Sequence, residues 1–176
     1  MLKKGVIHIG EHRLTMNTFT KWFLLNAVIG TGIFFAETKG AISAIIQNDL
    51  SHISILIMAL YVCVSAYIGR LCYLSDKMSQ NKLKRVKEKE YLEKRIDLGW
   101  FSAEHFFSLG LLGTIIGLIF ATKGSLDSSL PIGAIVAGLK EGLNTAFYTT
   151  VCGIIFSLPL QVQIMILKFK LAEEKK

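Results

Sequence analysis

The sequence predicts an all-α integral membrane protein with four transmembrane helices and a helical cytoplasmic extension. Hydrophobic residues make up 52% of the 176 residues and charged residues only 19%, below the roughly 25% that is usual for soluble domains. The charged residues are also clustered, which leaves long apolar stretches between the clusters. Both observations are typical of a chain that crosses a bilayer several times.

Four apolar stretches approach the ~20 residues that a helix needs to cross a bilayer. In chain order they cover residues 19–36, 53–67, 106–121 and 146–167. The first follows basic residues, as the apolar part of a signal peptide does, but residues 34–37 read Phe-Phe-Ala-Glu and lack the small-residue pattern of a cleavage site. We therefore expect this stretch to remain in the protein as the first helix.

The charged segment 70–98 connects the second and third stretches. It contains no glycine and no proline, and oppositely charged pairs such as Glu90 and Lys94 are four residues apart, a spacing that stabilises helices in water. We expect the second helix to continue into the cytoplasm, turn, and lead into the third helix near residues 99–100. A solvated charged hairpin with only a topological role is the alternative.

The basic residues predict the topology. Seventeen of the 20 lysine and arginine residues lie between the N-terminus and residue 21, in the charged segment, or from Lys168 onward. Because basic residues accumulate on the cytoplasmic side, both termini and the charged segment are expected in the cytoplasm. The same positions explain the net charge of +7, so no nucleic-acid partner is expected. The predicted division is a peripheral transmembrane hairpin (1–69), a charged cytoplasmic region (70–104), a second pair of transmembrane helices (105–168) and a cytoplasmic tail (169–176).

Small and hydroxyl-bearing residues form stripes on the last two predicted helices. Gly113 and Gly117 are four residues apart, and Gly110 lies one turn earlier on the same helix. On the last helix, Thr145, Thr149, Gly153 and Ser157 recur every four residues, with Thr150 beside them. In a membrane such stripes let helices approach closely and form hydrogen bonds. Spacing alone therefore favours a packing role for them.

The order of the residues adds a second interpretation. Residues 109–119 read Leu-Gly-Leu-Leu-Gly-Thr-Ile-Ile-Gly-Leu-Ile, which resembles the third-helix signature of the MotA/TolQ/ExbB proton-channel family. Gly142-Leu143, Ala146, Thr149-Thr150, Gly153 and Pro159 are similar to that family's last helix. The resemblance covers residues 105–168, which it makes the channel helices. It implies a homopentamer in the lipid bilayer of a bacterial inner membrane, around a dimer of a single-span partner similar to MotB, TolR or ExbD.

The resemblance also implies roles for single residues. Thr114 and Thr150 match the threonines that face the ion path, and Thr149 matches an additional threonine of many flagellar stators. Thr145 stands where ExbB- and TolQ-like members usually carry a glutamate, so the transported ion is H⁺ or Na⁺, and no cofactor is implied. Gly110, Gly113, Gly117 and Gly153 are expected to allow close helix contacts and rotation. Pro159 is expected to break the inner half of the last helix, freeing a carbonyl toward the path.

The absence of charge inside the spans supports the same interpretation. No predicted span carries an ionisable side chain near its middle, although intramembrane proton paths depend on such groups. Either the chain conducts nothing or a partner supplies the acid, as the family's single-span subunit does with an intramembrane aspartate. The cytoplasmic segment of about thirty residues is much shorter than the MotA loop that grips the flagellar rotor, so another envelope machine is the expected load.

Two other membrane functions are alternatives to a motor subunit, whereas catalysis is not expected. A non-conducting membrane scaffold and a self-sufficient pore are the two alternatives to a motor subunit. The sequence contains no phosphate-binding loop, dinucleotide fingerprint or nucleophile motif. No enzymatic activity is therefore expected.

Overall fold

The computed structural model describes residues 17–78, 82–125 and 131–173 as five helices, with no strand in those ranges. The basic residues before position 17 and the last three residues of the predicted tail lie outside the described part of the chain. Four helices are long and apolar enough to cross a membrane, which confirms the predicted fold class. The helices are α1 (Thr18–Thr38), α2 (Ala41–Asn48), α3 (Ile53–Asp76), α4 (Lys82–Ser125) and α5 (Ile132–Glu173).

Helix α1 runs antiparallel to α3 and is fixed to it at its first residue. The carboxylate of Asp76, the last residue of α3, accepts hydrogen bonds from the backbone N–H groups of Thr18 at 3.0 Å and Phe19 at 2.8 Å. The first N–H groups of a helix have no partner within the helix and carry the positive end of its dipole. The start of α1 and the end of α3 therefore lie on the same side of the membrane.

The short helix α2 was not predicted. It has eight residues, or two turns, too few to give a periodic pattern that distinguishes a helix from a loop. Gly40 precedes it with a φ of 71°, a left-handed conformation that glycine adopts without steric cost. This turn reverses the chain between α1 and α2, so α2 folds back over the bundle rather than extending α1.

Helix α4 confirms that the charged segment is helical and leads without a break into the third span. Its 44 residues correspond to about 66 Å, roughly twice the ~30 Å of a bilayer core. The pair of Glu90 and Lys94 forms as expected, with 2.9 Å between Oε1 and Nζ.

Helix α5 is also continuous, so the expected break at Pro159 is wrong. The proline lies inside a helix of 42 residues. A proline removes one backbone N–H and one hydrogen bond from a helix. On either side of Pro159, the Ser157 hydroxyl donates to the Ala103 carbonyl oxygen of α4 at 2.8 Å and Leu160 is fully buried, so packing holds the flanking turns in the helix. Helices α3, α4 and α5 run through the three predicted domain boundaries, and the division into domains stays a prediction.

A buried polar network holds α1 against α3 and α5. Gln163, which is fully buried, accepts hydrogen bonds at Oε1 from Trp22 Nε1 at 3.1 Å and from the Ser65 hydroxyl at 3.0 Å. Asn26 Oδ1 is 2.9 Å from the same hydroxyl and 3.3 Å from Gln163 Nε2. Because polar groups in a bilayer core find no water, they stabilise helix contacts by bonding to one another.

Candidate functional site

Helices α4 and α5 form the most extensive contact in the structure, and glycines lie where they approach most closely. A Cβ at Gly113 would lie 2.5 Å from Thr149 Cβ, and one at Gly117 would lie 2.5 Å from the backbone nitrogen of Ala146. Gly110 and Gly153 face each other, and a Cβ at Gly153 would lie 2.9 Å from Gly110 Cα. Side chains at these positions would push the two helices apart.

One further glycine belongs to this contact. Gly142 lies against Ala121, with no room for a side chain between them. Gly142 is among the residues that resemble the family's last helix, but no packing role was predicted for it. Its spacing of four residues before Ala146 is the signal that places it on the same face.

Thr114 of α4 and Thr150 of α5 meet across this contact, and their hydroxyl groups are hydrogen-bonded to each other. The Thr114 hydroxyl also lies 3.1 Å from the carbonyl oxygen of Gly110 and 3.3 Å from that of Ala146. The Thr150 hydroxyl lies 2.9 Å from the same Ala146 carbonyl oxygen. Both threonines are half-buried, so this pair is reachable from one side of the α4–α5 seam.

The protons and lone pairs of the two hydroxyl groups determine what the threonine pair can bind. Each hydroxyl has one proton and two lone pairs. One hydroxyl donates to the other, and the second donates to the carbonyl oxygen of Gly110 or Ala146, so both protons and only one of the four lone pairs are used. Lone pairs of the two hydroxyl oxygens then remain unused. The pair therefore presents oxygen acceptors, which suit a small hard cation or the proton of an acid and disfavour an anion.

The other two predicted threonines lie in different surroundings. Thr149 is fully buried beneath Gly113, and its hydroxyl donates within α5 to the carbonyl oxygen of Thr145 at 2.9 Å or of Ala146 at 3.1 Å. Thr145 is also fully buried, and its hydroxyl accepts from the Leu50 N–H at 3.1 Å. The structure thus brings Thr114 and Thr150 together, while Thr145 fixes the connection between α2 and α3.

Pro159 lies away from the threonine pair. It follows Thr150 by nine residues, or roughly 14 Å along the helix. The structure does not bring the proline and the pair together.

The buried carboxylate of Asp49, near Thr145, was not predicted from the sequence. Asp49, with 1% of its surface exposed, accepts hydrogen bonds from the backbone N–H groups of Ser51 at 2.9 Å and Ser54 at 2.8 Å. Burial raises the pKa of Asp49, but hydrogen bonds from these two serines outweigh burial and lower it below its usual value. Asp49 lies outside the apolar stretches, in the connection between α2 and α3. Aspartate often bonds to the backbone N–H two residues further on, as it does here with Ser51, and this turn tendency is the signal that could have found it.

The described residues contain no group of three or more histidine, cysteine, aspartate or glutamate side chains that could hold a metal ion. The candidate site therefore consists of hydroxyl and carbonyl oxygens.

A family model described as the MotA/TolQ/ExbB proton channel family matches residues 74–176. The matched range includes all of α4 and α5, and with them the threonine pair and the glycines of the seam. No curated protein and no solved structure matches the chain.

Proposed function

The chain belongs to the MotA/TolQ/ExbB proton channel family, and we propose that it is the ring-forming subunit of an ion-driven membrane motor. In this proposal five copies surround a dimer of a single-span partner similar to MotB, TolR or ExbD. The complex conducts H⁺ or Na⁺ and converts the flux into rotation or other work. It resides in a bacterial inner membrane with both termini of the chain in the cytoplasm.

The threonine pair is the observation that carries this proposal. Thr114 and Thr150 meet within the glycine-lined contact of α4 and α5 and retain lone pairs for a cation or an acid proton. No titratable side chain of the described residues forms a hydrogen bond with either hydroxyl. An intramembrane proton path needs a titratable group, and the partner's aspartate would supply it opposite this pair.

The proposed mechanism gives each part of the chain one task. The two hydroxyls solvate the ion, or the protonated acid, while it passes the partner's carboxylate. Their own protons are already taken up by the bond between the hydroxyls and by a carbonyl oxygen of Gly110 or Ala146, so the site needs no rearrangement to accept a positive charge. The close contact of α4 and α5 lets the two helices move as one unit when the ring turns.

The test is ion flux in vesicles that contain this chain and the single-span partner. Thr150→Val removes the hydroxyl and keeps the shape of the side chain, whereas Thr150→Ser keeps the hydroxyl. Hydrogen bonds to charged groups contribute about 1.5–3 kcal/mol, so we expect roughly a tenfold or larger loss of flux for Thr150→Val and partial flux for Thr150→Ser.

A matched control is Thr31→Val. Thr31 is exposed on α1, and its hydroxyl bonds to the carbonyl oxygen of Ala27, so flux should stay at the wild-type level. Wild-type flux in Thr150→Val would contradict the role of the pair. Flux without the partner would favour a self-sufficient pore, and absence of flux with the partner would favour a scaffold.

A further inference from the structure

An apolar groove opens between α1, α2, α3 and α5, away from the threonine pair. Its volume is about 650 Å³. Aliphatic and aromatic side chains line it on all four helices, among them Ile33, Ala36, Ala44, Tyr61, Val151 and Phe156. None of the lining residues is charged.

The groove exists because α1 is held against the bundle mainly through its first half. There Trp22 and Asn26 join the buried network, and a Cβ at Gly69 of α3 would lie 2.5 Å from the Trp22 ring. At Gly30 and Gly32, in contrast, an added Cβ would meet no atom within 4 Å. The second half of α1 therefore stands away from α5, and α2 closes the gap at its far end.

The length of the groove matches the depth of one leaflet. Its first and last lining residues on α5, Phe147 and Phe156, are nine residues apart, which is about 14 Å at 1.5 Å per residue. Half of a bilayer core is about 15 Å. One end of the groove lies at the turn between α1 and α2, because Ala36 and Ala41 on either side of that turn both line it.

A basic side chain, that of Lys39, lies at the end of the groove next to the α1–α2 turn. Lys39 is exposed in the turn between Ala36 and Ala41, and its Nζ lies 5.9 Å from the centroid of the Phe35 ring. It forms no ion pair with any residue that the structure describes; the neighbouring Glu37 carboxylate instead accepts hydrogen bonds from Ser43. Because α1 is long enough to cross a bilayer and ends at Thr38, the Lys39 charge is expected at the depth of the lipid phosphates.

We propose that the groove binds one acyl chain of a phospholipid from the leaflet next to the α1–α2 turn, with the lipid phosphate at Lys39. An apolar cavity of this kind stays dry, and a void would leave its walls without dispersion contacts on one side. An acyl chain fills the length of the groove, while the lysine compensates the charge of the phosphate. The bound lipid acts as a wedge that supports the outward position of α1.

The test measures phospholipid retained per chain by native mass spectrometry, after the full-length protein is purified in mild detergent and washed extensively. We expect one phospholipid per wild-type chain. Ala36→Phe places a ring in the groove and should lower retention roughly threefold or more, since contacts in lipid depend on close packing. Lys39→Gln should lower it roughly fivefold, the usual effect of one basic residue at the membrane surface.

The matched control is Ala27→Phe, since Ala27 is exposed on the same helix and does not line the groove; its retention should equal that of wild type. If Ala36→Phe fails to fold, Ala44→Leu fills the groove from α2 and should have the same effect. Unchanged retention in the folded groove variants, or an equal loss in Ala27→Phe, would overturn the proposal. So would a photoreactive phenylalanine analogue at Tyr148 that cross-links to another protein chain instead of to lipid.

Discussion

A methyl group added at Gly117 tests whether the glycines hold α4 and α5 in their close contact. In Gly117→Ala the new Cβ would lie 2.5 Å from the Ala146 nitrogen and 2.7 Å from the Gly142 carbonyl oxygen, whereas ordinary contacts begin at 3.4 Å. Both are backbone atoms, so no side chain can rotate away. The helices must separate by about 1 Å, a gap that forfeits a quarter to a half of each dispersion contact along the seam.

We expect Gly117→Ala to lower the free energy of unfolding by about 3 kcal/mol, the upper part of the range for overpacking. Gly99→Ala is the matched control on the same helix. There the nearest atoms, of Ile164, lie 3.7 Å from the added Cβ, which is a normal contact. Since alanine favours a helix over glycine by up to about 1 kcal/mol, this variant should be as stable as wild type or more stable.

The assay is unfolding in mixed micelles at increasing concentrations of a denaturing detergent, followed by circular dichroism. The two alanine variants differ from wild type by the same methyl group, so intrinsic propensity cancels between them. Equal stability of Gly117→Ala and Gly99→Ala would refute the reasoning from helix contact.

Two further predictions concern the buried polar groups. Gln163→Leu removes the centre of the network that joins α1 to α3 and α5, and it should lower the free energy of unfolding by about 1–2 kcal/mol. Trp22 fluorescence and the same unfolding assay measure this loss of stability. Unchanged fluorescence and unchanged stability would contradict the role of the network. Asp49→Asn should destabilise the protein by about 1.5–3 kcal/mol at neutral pH. Because folding lowers the pKa of Asp49 from its ordinary 3.8, this stabilisation is present above that value and is lost as pH falls through the folded pKa. The difference from Asp49→Asn should therefore persist from pH 8 to pH 5 and shrink below about pH 4; a pH-independent difference would contradict it.

The sequence predicted the elements whose signals are long. Four apolar stretches and a charged segment without glycine or proline determined the spans and the continuity of α4. The eight residues of α2 gave no comparable signal, since two turns carry too little periodicity. The predicted break at Pro159 is wrong because the helix-breaking tendency of proline is local, and contacts of the flanking turns with α4 override it.

The candidate site was predictable in part. The spacing of glycines and threonines indicated which faces of α4 and α5 meet, and residue order related them to a family. Spacing alone could not separate Thr150, half-buried beside Thr114, from the fully buried Thr145 and Thr149. That distinction depends on how α5 is rotated against α4 and on the α2–α3 connection, which contacts Thr145 from a distant part of the chain. Asp49 was not predicted because its burial likewise depends on how the α2–α3 connection packs against the rest of the bundle.

The most direct test of the proposed function is a cryo-EM structure of this chain purified together with its single-span partner. The proposal predicts five copies around two central helices, with Thr114 and Thr150 of each copy facing the ring interior and, in at least one copy, opposite a partner aspartate. A different stoichiometry with an empty or lipid-filled centre, or threonine pairs directed away from the centre, would contradict it.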